Sequence, residues 1–538
     1  MNIKKFTPIM VLVLAACRFN LPSAPQPVQP EAETQPAQAA AKTLPAQTKQ
    51  NISPVEEGIN AFEGVPPSEL FEVDWTERAI FTQNLVPEAQ HWAKALPQAT
   101  QYRIELLIPE NVDRLTGREE VLYTNQEEVS LNEVYLRLFP NVNGGAATIE
   151  TLRVNGQPAE FNLESLDSAV RIPLVAPLLP GESLLLQLDF TLEIPRQMGG
   201  NFGLFGYFEN ILTLDLFYPA VPAYDQQGWY ADPPPPYGDN SYYDASYYLV
   251  RVTAPEDFVL ATSGVEVLRE AADGFQTVTF AAGPARDFSL AASIYYTLLS
   301  DTTGSTRVNS FALAKNASAQ RLVLDVAMKA IETFSSRIGE FEYSEFDVIA
   351  TPMQAGGVEY PGATWINMDY YNLDKEFYGL PAANMLETVV AHEVAHHWFY
   401  NVVGNSQVEE AWLDESLVQY VTGLYFLDQH GQDAYRSYKT SWDYRWGRID
   451  FKNVPIGLPS GAYSGYEYVS SVYGRGPYFF ETLAREIGDE VFRGFLHDYY
   501  QTYQWQVATG AGMKDMLEQH CRCDLMPLFQ EWVYPAEP

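Results

Sequence analysis

From about residue 100 to 305, apolar residues come in short runs rich in branched and aromatic side chains, each stopped by a turn former. Residues 102–108 end at Pro109, residues 134–139 end at Pro140, and residues 183–190 make a third run. Residues 247–252, followed by Pro255, and 258–261, followed by Gly264, continue the pattern. Such runs predict the strands of a sandwich or a large sheet. No repeat of fixed period is visible.

Near residue 305 the texture changes. Leu322, Val323, Val326, Ala327, Ala330, Ile331 and Phe334 recur at helical spacing across 318–338. Residues 346–350 read as a strand that runs into Gly356-Gly357-Val358-Glu359-Tyr360-Pro361-Gly362. Between Pro381, which can open a helix, and Gly404, which can close one, Leu386, Val389, Val390, Val394, Phe399 and Val403 predict a largely apolar helix. Further helices are expected from about 409 and over 476–487, 490–503 and 511–521. The fold class is therefore multidomain α+β. An all-β domain spans 66–304, and a mixed, then mainly helical domain spans 305–538, with a site between its lobes.

The start of the chain modifies this picture. Lys4 and Lys5 precede a mostly apolar run from Phe6 to Ala16, too short to cross a bilayer, which reads as a signal peptide over 1–17. Leu14-Ala15-Ala16-Cys17 resembles a bacterial lipoprotein processing site. Cys17 would then be lipidated and the protein exported to the cell envelope on a membrane anchor. Plain secretion is the alternative. Residues 18–65, rich in Pro, Ala, Gln and Thr, read as a tether that cannot bury a core.

Composition adds exclusions. The chain is 46% hydrophobic and 14% aromatic, ample for large cores, and its formal charge of −36 argues against nucleic acid and against a basic patch on anionic lipid. Three cysteines are few for an oxidising compartment. Cys521-Arg522-Cys523 lacks the second ligand pair of a structural zinc module and reads as a redox-inert or locally bridged pair. The aromatic, proline-rich region 217–248 can line a groove or pack on the sheet, and the sequence leaves both open.

The chemistry sits at His392-Glu393-Val394-Ala395-His396, with Glu415 nineteen residues further on in Trp412-Leu413-Asp414-Glu415-Ser416. Histidines four apart on a helix share a face, so both imidazoles can reach one ion. A catalytic zinc site needs three protein ligands, an open position for water, and a carboxylate outside the ligand set to take the water's proton. His392, His396 and Glu415 fit the first role and Glu393 the last. His397 points about 100° away from His396 around the helix and reads as packing or support.

Four segments together, Gly356-Gly357-Val358-Glu359, His392-Glu393-x-x-His396, Trp412-Leu413-Asp414-Glu415 and Val472-Tyr473-Gly474-Arg475-Gly476, resemble the gluzincin aminopeptidase family that includes aminopeptidase N and leukotriene hydrolase. The resemblance covers about residues 100–534. It implies a saddle-like N-terminal β domain, a thermolysin-like catalytic domain, one zinc ion per chain and peptide substrates. It also implies Tyr473 as hydroxyl donor to the oxyanion and Glu359 as the anchor of the substrate's free α-amino group. Gly356 and Gly357 would let the strand's backbone approach a bound peptide. Departures are Val358 for Met, Tyr360 for Asn, Ser416 for Gly, Arg475 for Lys, and His397 where many members carry Gln. A second amine anchor from the β domain is not fixed by the sequence; the region of Asp215 is the candidate. Larger members continue into a helical domain, so a chain stopping at Pro538 implies a more open cleft that tolerates longer peptides. A thermolysin-like endopeptidase, an epoxide hydrolase of the leukotriene branch and an inactive lipid-anchored binding protein are the alternatives.

Overall fold

The computed structural model describes residues 69–199, 202–235, 237–239 and 242–535. The signal-like leader, Cys17 and the whole tether over 18–65 lie outside the described residues. Among the described residues no helix is long and apolar enough to cross a membrane.

Alternation builds the β domain. Along Arg114–Thr124, Leu115, Gly117, Glu119, Val121 and Tyr123 turn inward while the residues between them are only partly covered, and Ser183–Glu193 repeats this with Leu184, Leu186, Leu188 and Phe190. The two strands pair antiparallel, Val121 opposite Leu186, so their apolar faces coincide. They sit within an eight-stranded sheet whose order is Val265–Ala272, Phe275–Ala285, Ser246–Pro255, Gln101–Leu107, Arg114–Thr124, Ser183–Glu193, Ala146–Val154, Gln157–Pro158. One core joins its inner face to a four-stranded sheet containing Ile211–Leu214 and Leu290–Ser293, and to a three-stranded sheet containing Leu131–Arg137. All five runs read from the sequence are strands.

The second half opens with a hairpin, Tyr296–Thr303 and Thr306–Leu313, so the change of texture read at 305 falls inside an element. This hairpin belongs to a five-stranded sheet that continues through Glu345–Thr351 and Ala363–Asn367 to an edge strand, Gly357–Tyr360. The helix Ala317–Arg337 lays Val323, Ala327 and Phe334 against that sheet and against the helix Ala382–Ala395, in a core that also takes in Leu417, Val421 and Phe480.

The helix that carries the two histidines is shorter than its apolar pattern predicts. It ends at Ala395 with His396 as its cap: His397 N–H and Trp398 N–H bond only three residues back, to Val394 O and Ala395 O, and the chain then widens into five-residue bonds from Asn401 N–H to His396 O, Val402 N–H to His397 O and Val403 N–H to Trp398 O. Phe399, Val402 and Val403 are buried in this widened turn rather than on a helix. The later helices Gly476–Ile487, Asp489–Tyr503 and Gly510–Cys521 match their predicted spans to within a residue, and Cys521 and Cys523 are bridged.

Candidate active site

His392 lies in the last turn of the helix Ala382–Ala395 and His396 caps it, placing the rings 4.8 Å apart. Glu415 comes from the π-helical turn Trp412–Ser416, which leads into the helix Leu417–His430. A π turn carries one more residue per hydrogen-bonded loop than an α turn and often marks functional positions. Tyr473 sits in a second such turn, Val469–Arg475. Two irregular turns thus face the two histidines, the first where the sequence reads a helix from about 409 and the second just ahead of the helix read from 476.

Three atoms converge. His392 Nε2 and His396 Nε2 are 3.3 Å apart, and Glu415 Oε2 lies 3.4 Å from the first and 3.5 Å from the second. Tetrahedral zinc with N and O ligands at 2.0–2.2 Å has ligand atoms about 3.3–3.6 Å apart, so this triangle has the dimensions of one tetrahedral face. The orientation of the His396 ring agrees. His396 Nδ1–H donates to Phe399 O at 3.2 Å, which leaves Nε2 free as a ligand. His392 Nδ1 lies 3.4 Å from Gln419 Nε2, and Gln419 Oε1 accepts from the Tyr438 hydroxyl at 2.7 Å; with the amide turned this way it offers His392 Nδ1 a donor, and exchanging its oxygen and nitrogen would offer the acceptor that a metal-bound His392 needs. The residues present fit one zinc ion.

Glu393 is fully buried, and neither of its oxygens meets a hydrogen-bond donor among the described residues. It approaches a second set: one ligand atom each of Glu359, Glu393 and His396 lie within 4.8 Å of one another. Gly357 allows this, since a Cβ there would stand 2.5 Å from Glu393 Oε1. The glycine expected to let a peptide approach the strand is thus first of all the space for the carboxylate behind it. Gly356 accepts the Asn367 N–H through its carbonyl at 3.0 Å.

Glu359, on the edge strand, takes a hydrogen bond on Oε1 from Gln407 Nε2 at 3.0 Å, while Oε2 finds no donor among the described residues. The same Gln407 nitrogen donates to Asp414 Oδ2 at 2.9 Å, and Asp414 Oδ1 accepts the Glu415 N–H. One amide therefore ties the Glu359 carboxylate to the turn bearing Glu415. Gln407 escaped the sequence reading because a single Gln in a loop carries no local signal. Asp215, the candidate for a second amine anchor, is buried and accepts from Tyr360 Oη at 3.1 Å and from Asn143 Nδ2 at 3.4 Å. Tyr360 alternates with Glu359 along the strand, so Asp215 meets the residue next to Glu359 rather than the same face.

Burial pushes the Glu393 and Glu359 carboxyls up, reinforced at Glu393 by the charge of Glu359 and at Glu359 by that of Glu415. Burial also lifts Asp414 to about 7 and lowers His392 to about 4. For His396, burial is overcome by Glu359, Glu415 and Glu393, and its pKa goes up. At Glu415 burial is outweighed by His396 and His392, which hold it down. Four carboxylates around two imidazoles make a pocket short of positive charge.

The remaining predicted residues lie around this centre. Tyr473 is buried with its ring 6.5 Å from that of His392 and against Tyr468, on which Tyr237 of the proline-rich region stacks. That region therefore packs on the Tyr473 turn. Ser416 donates to Val472 O at 2.6 Å and so links the Glu415 and Tyr473 turns. Arg475 spends its donors on the carbonyls of Val454, Glu531 and Trp532 and lies over the Trp532 ring, fastening the Tyr473 turn to the last helix. His397 packs among Phe341, Tyr343 and Phe346, and burial lowers its pKa to about 3.

Residues 322–532, which hold every ligand candidate, match the family model of the peptidase family M1 domain. Related sequences include aminopeptidase N of Lactococcus lactis, 23% identical over 252 residues that make up 43% of this chain and 28% of that protein. A probable aminopeptidase 2 of Sulfurisphaera tokodaii is 24% identical over 232 residues, 40% of this chain and 28% of the relative. The chain thus spans little more than a quarter of the length of these two relatives. Among solved structures, the M1 zinc metallopeptidase from Deinococcus radiodurans superposes with a TM-score of 0.59 at 19% identity, covering 82% of this chain and 95% of that one. That likeness extends the shared fold across both the β domain and the domain that follows it.

Proposed function

We propose that the protein is a zinc-dependent aminopeptidase that removes N-terminal residues from peptides. What carries this reading is the pair Glu359 and Glu393: two buried carboxylates beside one metal triad, with three of their four oxygens lacking a donor among the described residues. A metal triad with Glu393 alone would suit any zinc peptidase. A second carboxylate facing the same space is suited to an ammonium, and a peptide offers one at its N-terminus.

His392, His396 and Glu415 would hold the ion. When bound, zinc supplies a Lewis acid and lowers the pKa of water toward neutrality. Glu393 accepts the proton of the attacking water and returns it to the leaving amine, a task for which a carboxylate with raised pKa is suited. Tyr473 donates its hydroxyl to the oxygen on which negative charge develops. Glu359, steadied by Gln407, pairs with the substrate's α-ammonium and fixes which carbonyl is attacked, so that one residue leaves per cycle.

The test is a panel of free and N-acetylated aminoacyl substrates, with and without a chelator, on wild type, Glu359→Ala and Glu393→Ala. Hydrolysis confined to free amines, lost with chelator and in Glu393→Ala, is expected. Hydrolysis of N-acetylated peptides that survives Glu359→Ala would instead establish a thermolysin-like endopeptidase.

A further inference from the structure

Arg286 and Asp287 occupy the corner between the strands Phe275–Ala285 and Leu290–Ser293, in the β domain, and no motif marks them. Arg286 is 3% exposed. Its guanidinium donates to main-chain carbonyls of Tyr400 at 2.7 Å, Asn401 at 2.8 Å, Val402 at 3.3 Å, Gln506 at 2.9 Å and Tyr243 at 2.9 Å. A buried guanidinium usually meets a carboxylate fork. This one is spent on backbone, and three of its five acceptors belong to the turn that follows His396.

Independent features converge on the same turn. Asp287 accepts a hydrogen bond from the Tyr400 hydroxyl. Tyr400 has φ of 123°, a region in which a residue with a Cβ persists only when its surroundings enforce it. Gly404 leaves room for the clamp, since a Cβ there would fall 2.1 Å from the guanidinium carbon of Arg286. The expected helix-closing glycine is therefore a seat for an arginine from the other domain. On the far side the turn is pinned by Trp505 N–H to Val402 O at 2.7 Å and Gly404 N–H to Gln506 O at 2.9 Å. Within it lies the Phe399 carbonyl, the acceptor that orients His396.

We propose that Arg286 and Asp287 are positioning residues of the metal site: they fix the turn from Phe399 to Val402, and through the Phe399 carbonyl they hold the His396 ring with Nε2 toward His392 and Glu415. The β domain thereby sets the affinity of the site for its metal, not only the shape of the cleft. The inference rests on the zinc reading.

The test measures zinc affinity by competition with a chromophoric chelator, with thermal unfolding of the metal-free proteins as a control for folding and the visible spectrum of the cobalt-loaded proteins as a report on the ligand set. Removal of groups that orient a metal-bound histidine typically weakens metal binding about 10–100-fold. Arg286→Gln should fall in that range and shift the cobalt spectrum, Arg286→Lys should recover part of the loss, and Tyr400→Phe, which removes the hydroxyl that donates to Asp287, should lose about threefold, the scale of one net hydrogen bond. If Arg286→Gln binds zinc like wild type while unfolding at lower temperature, the residue is a fastener between domains and the proposal is overturned. Should Arg286→Gln not fold, Arg286→Lys and Tyr400→Phe decide: weaker zinc in either supports the clamp, wild-type affinity in both overturns it. His396→Ala separates the two layers of argument, because wild type binding zinc no better than this variant would sink the metal reading itself.

Discussion

Glu119 in the β domain and Glu393 in the second domain are equally buried, and both oxygens of each lack a hydrogen-bond donor among the described residues. Their settings differ. Glu119 lies on a strand between Ile104 and Leu188, and burial alone raises its pKa. At Glu393 burial is joined by the charges of Glu359 and Glu415 and opposed by that of His396. A lone buried carboxylate solves its problem by keeping its proton. Several carboxylates converging on two imidazoles are better served by a cation. Burial without partners therefore does not mark a site; convergence does.

The contrast breaks most visibly at Glu393. Glu393→Gln should lower kcat by about a thousandfold, within the usual range for loss of a general base, while zinc content and melting temperature stay at or above those of wild type. Steady-state kinetics beside metal analysis checks this, and a fall of less than tenfold would make Glu393 no more functional than Glu119. Glu359→Gln comes next. Loss of one charge-assisted contact to an ammonium should reduce kcat/KM on free aminoacyl substrates by about 10–100-fold. The loss should lie mainly in KM if the contact serves binding and mainly in kcat if it serves alignment.

How far the sequence carries this contrast depends on the kind of pattern. His392, Glu393 and His396 are legible because a helix turns spacing into geometry, and the β domain is legible because alternation does the same for a sheet. Gln407, Arg286 and Gly357 are not, since each acts on a residue distant in the chain: Arg286 reaches a carbonyl 114 positions away. The helix limit at Ala395 is missed for a related reason. Val402 and Val403 are apolar because they are buried, and burial in a five-residue turn leaves the same trace as burial on a helix. The π turns at Glu415 and Tyr473 likewise share their composition with α-helix.

On the other side of the comparison, Glu119→Met should raise stability at pH 9 by about 3 kcal/mol, the scale of an unpaired buried charge, and leave kcat/KM unchanged. The sign follows from the direction of the shift. The folded pKa lies above the unfolded value near 4.5, so the fold is relatively favoured below that value and loses stability as pH climbs through the raised folded pKa. Denaturant unfolding at pH 5 and 9 should therefore show the gain growing with pH. A gain independent of pH would mean that packing, not charge, is what Glu119 costs.

Glu342 sharpens the same point with a smaller effect, because it is buried yet served by donors. Its Oε1 accepts from Tyr500 Oη at 3.0 Å and Gln504 Nε2 at 2.9 Å, and burial still lifts its pKa to about 7. Between pH 4.5 and 7 the unfolded chain releases this proton while the folded one keeps it, so stability declines across that window and the loss is complete above it. Glu342→Gln keeps an acceptor for both donors and removes the charge. It should leave stability at pH 5 nearly unchanged and add roughly 2 kcal/mol at pH 8, somewhat less than the full linkage value because an amide accepts more weakly. Equal gains for Glu119→Met and Glu342→Gln at high pH would show that donors do nothing to offset burial here. Only the convergence of carboxylates on His392 and His396 would then separate Glu393 from Glu119.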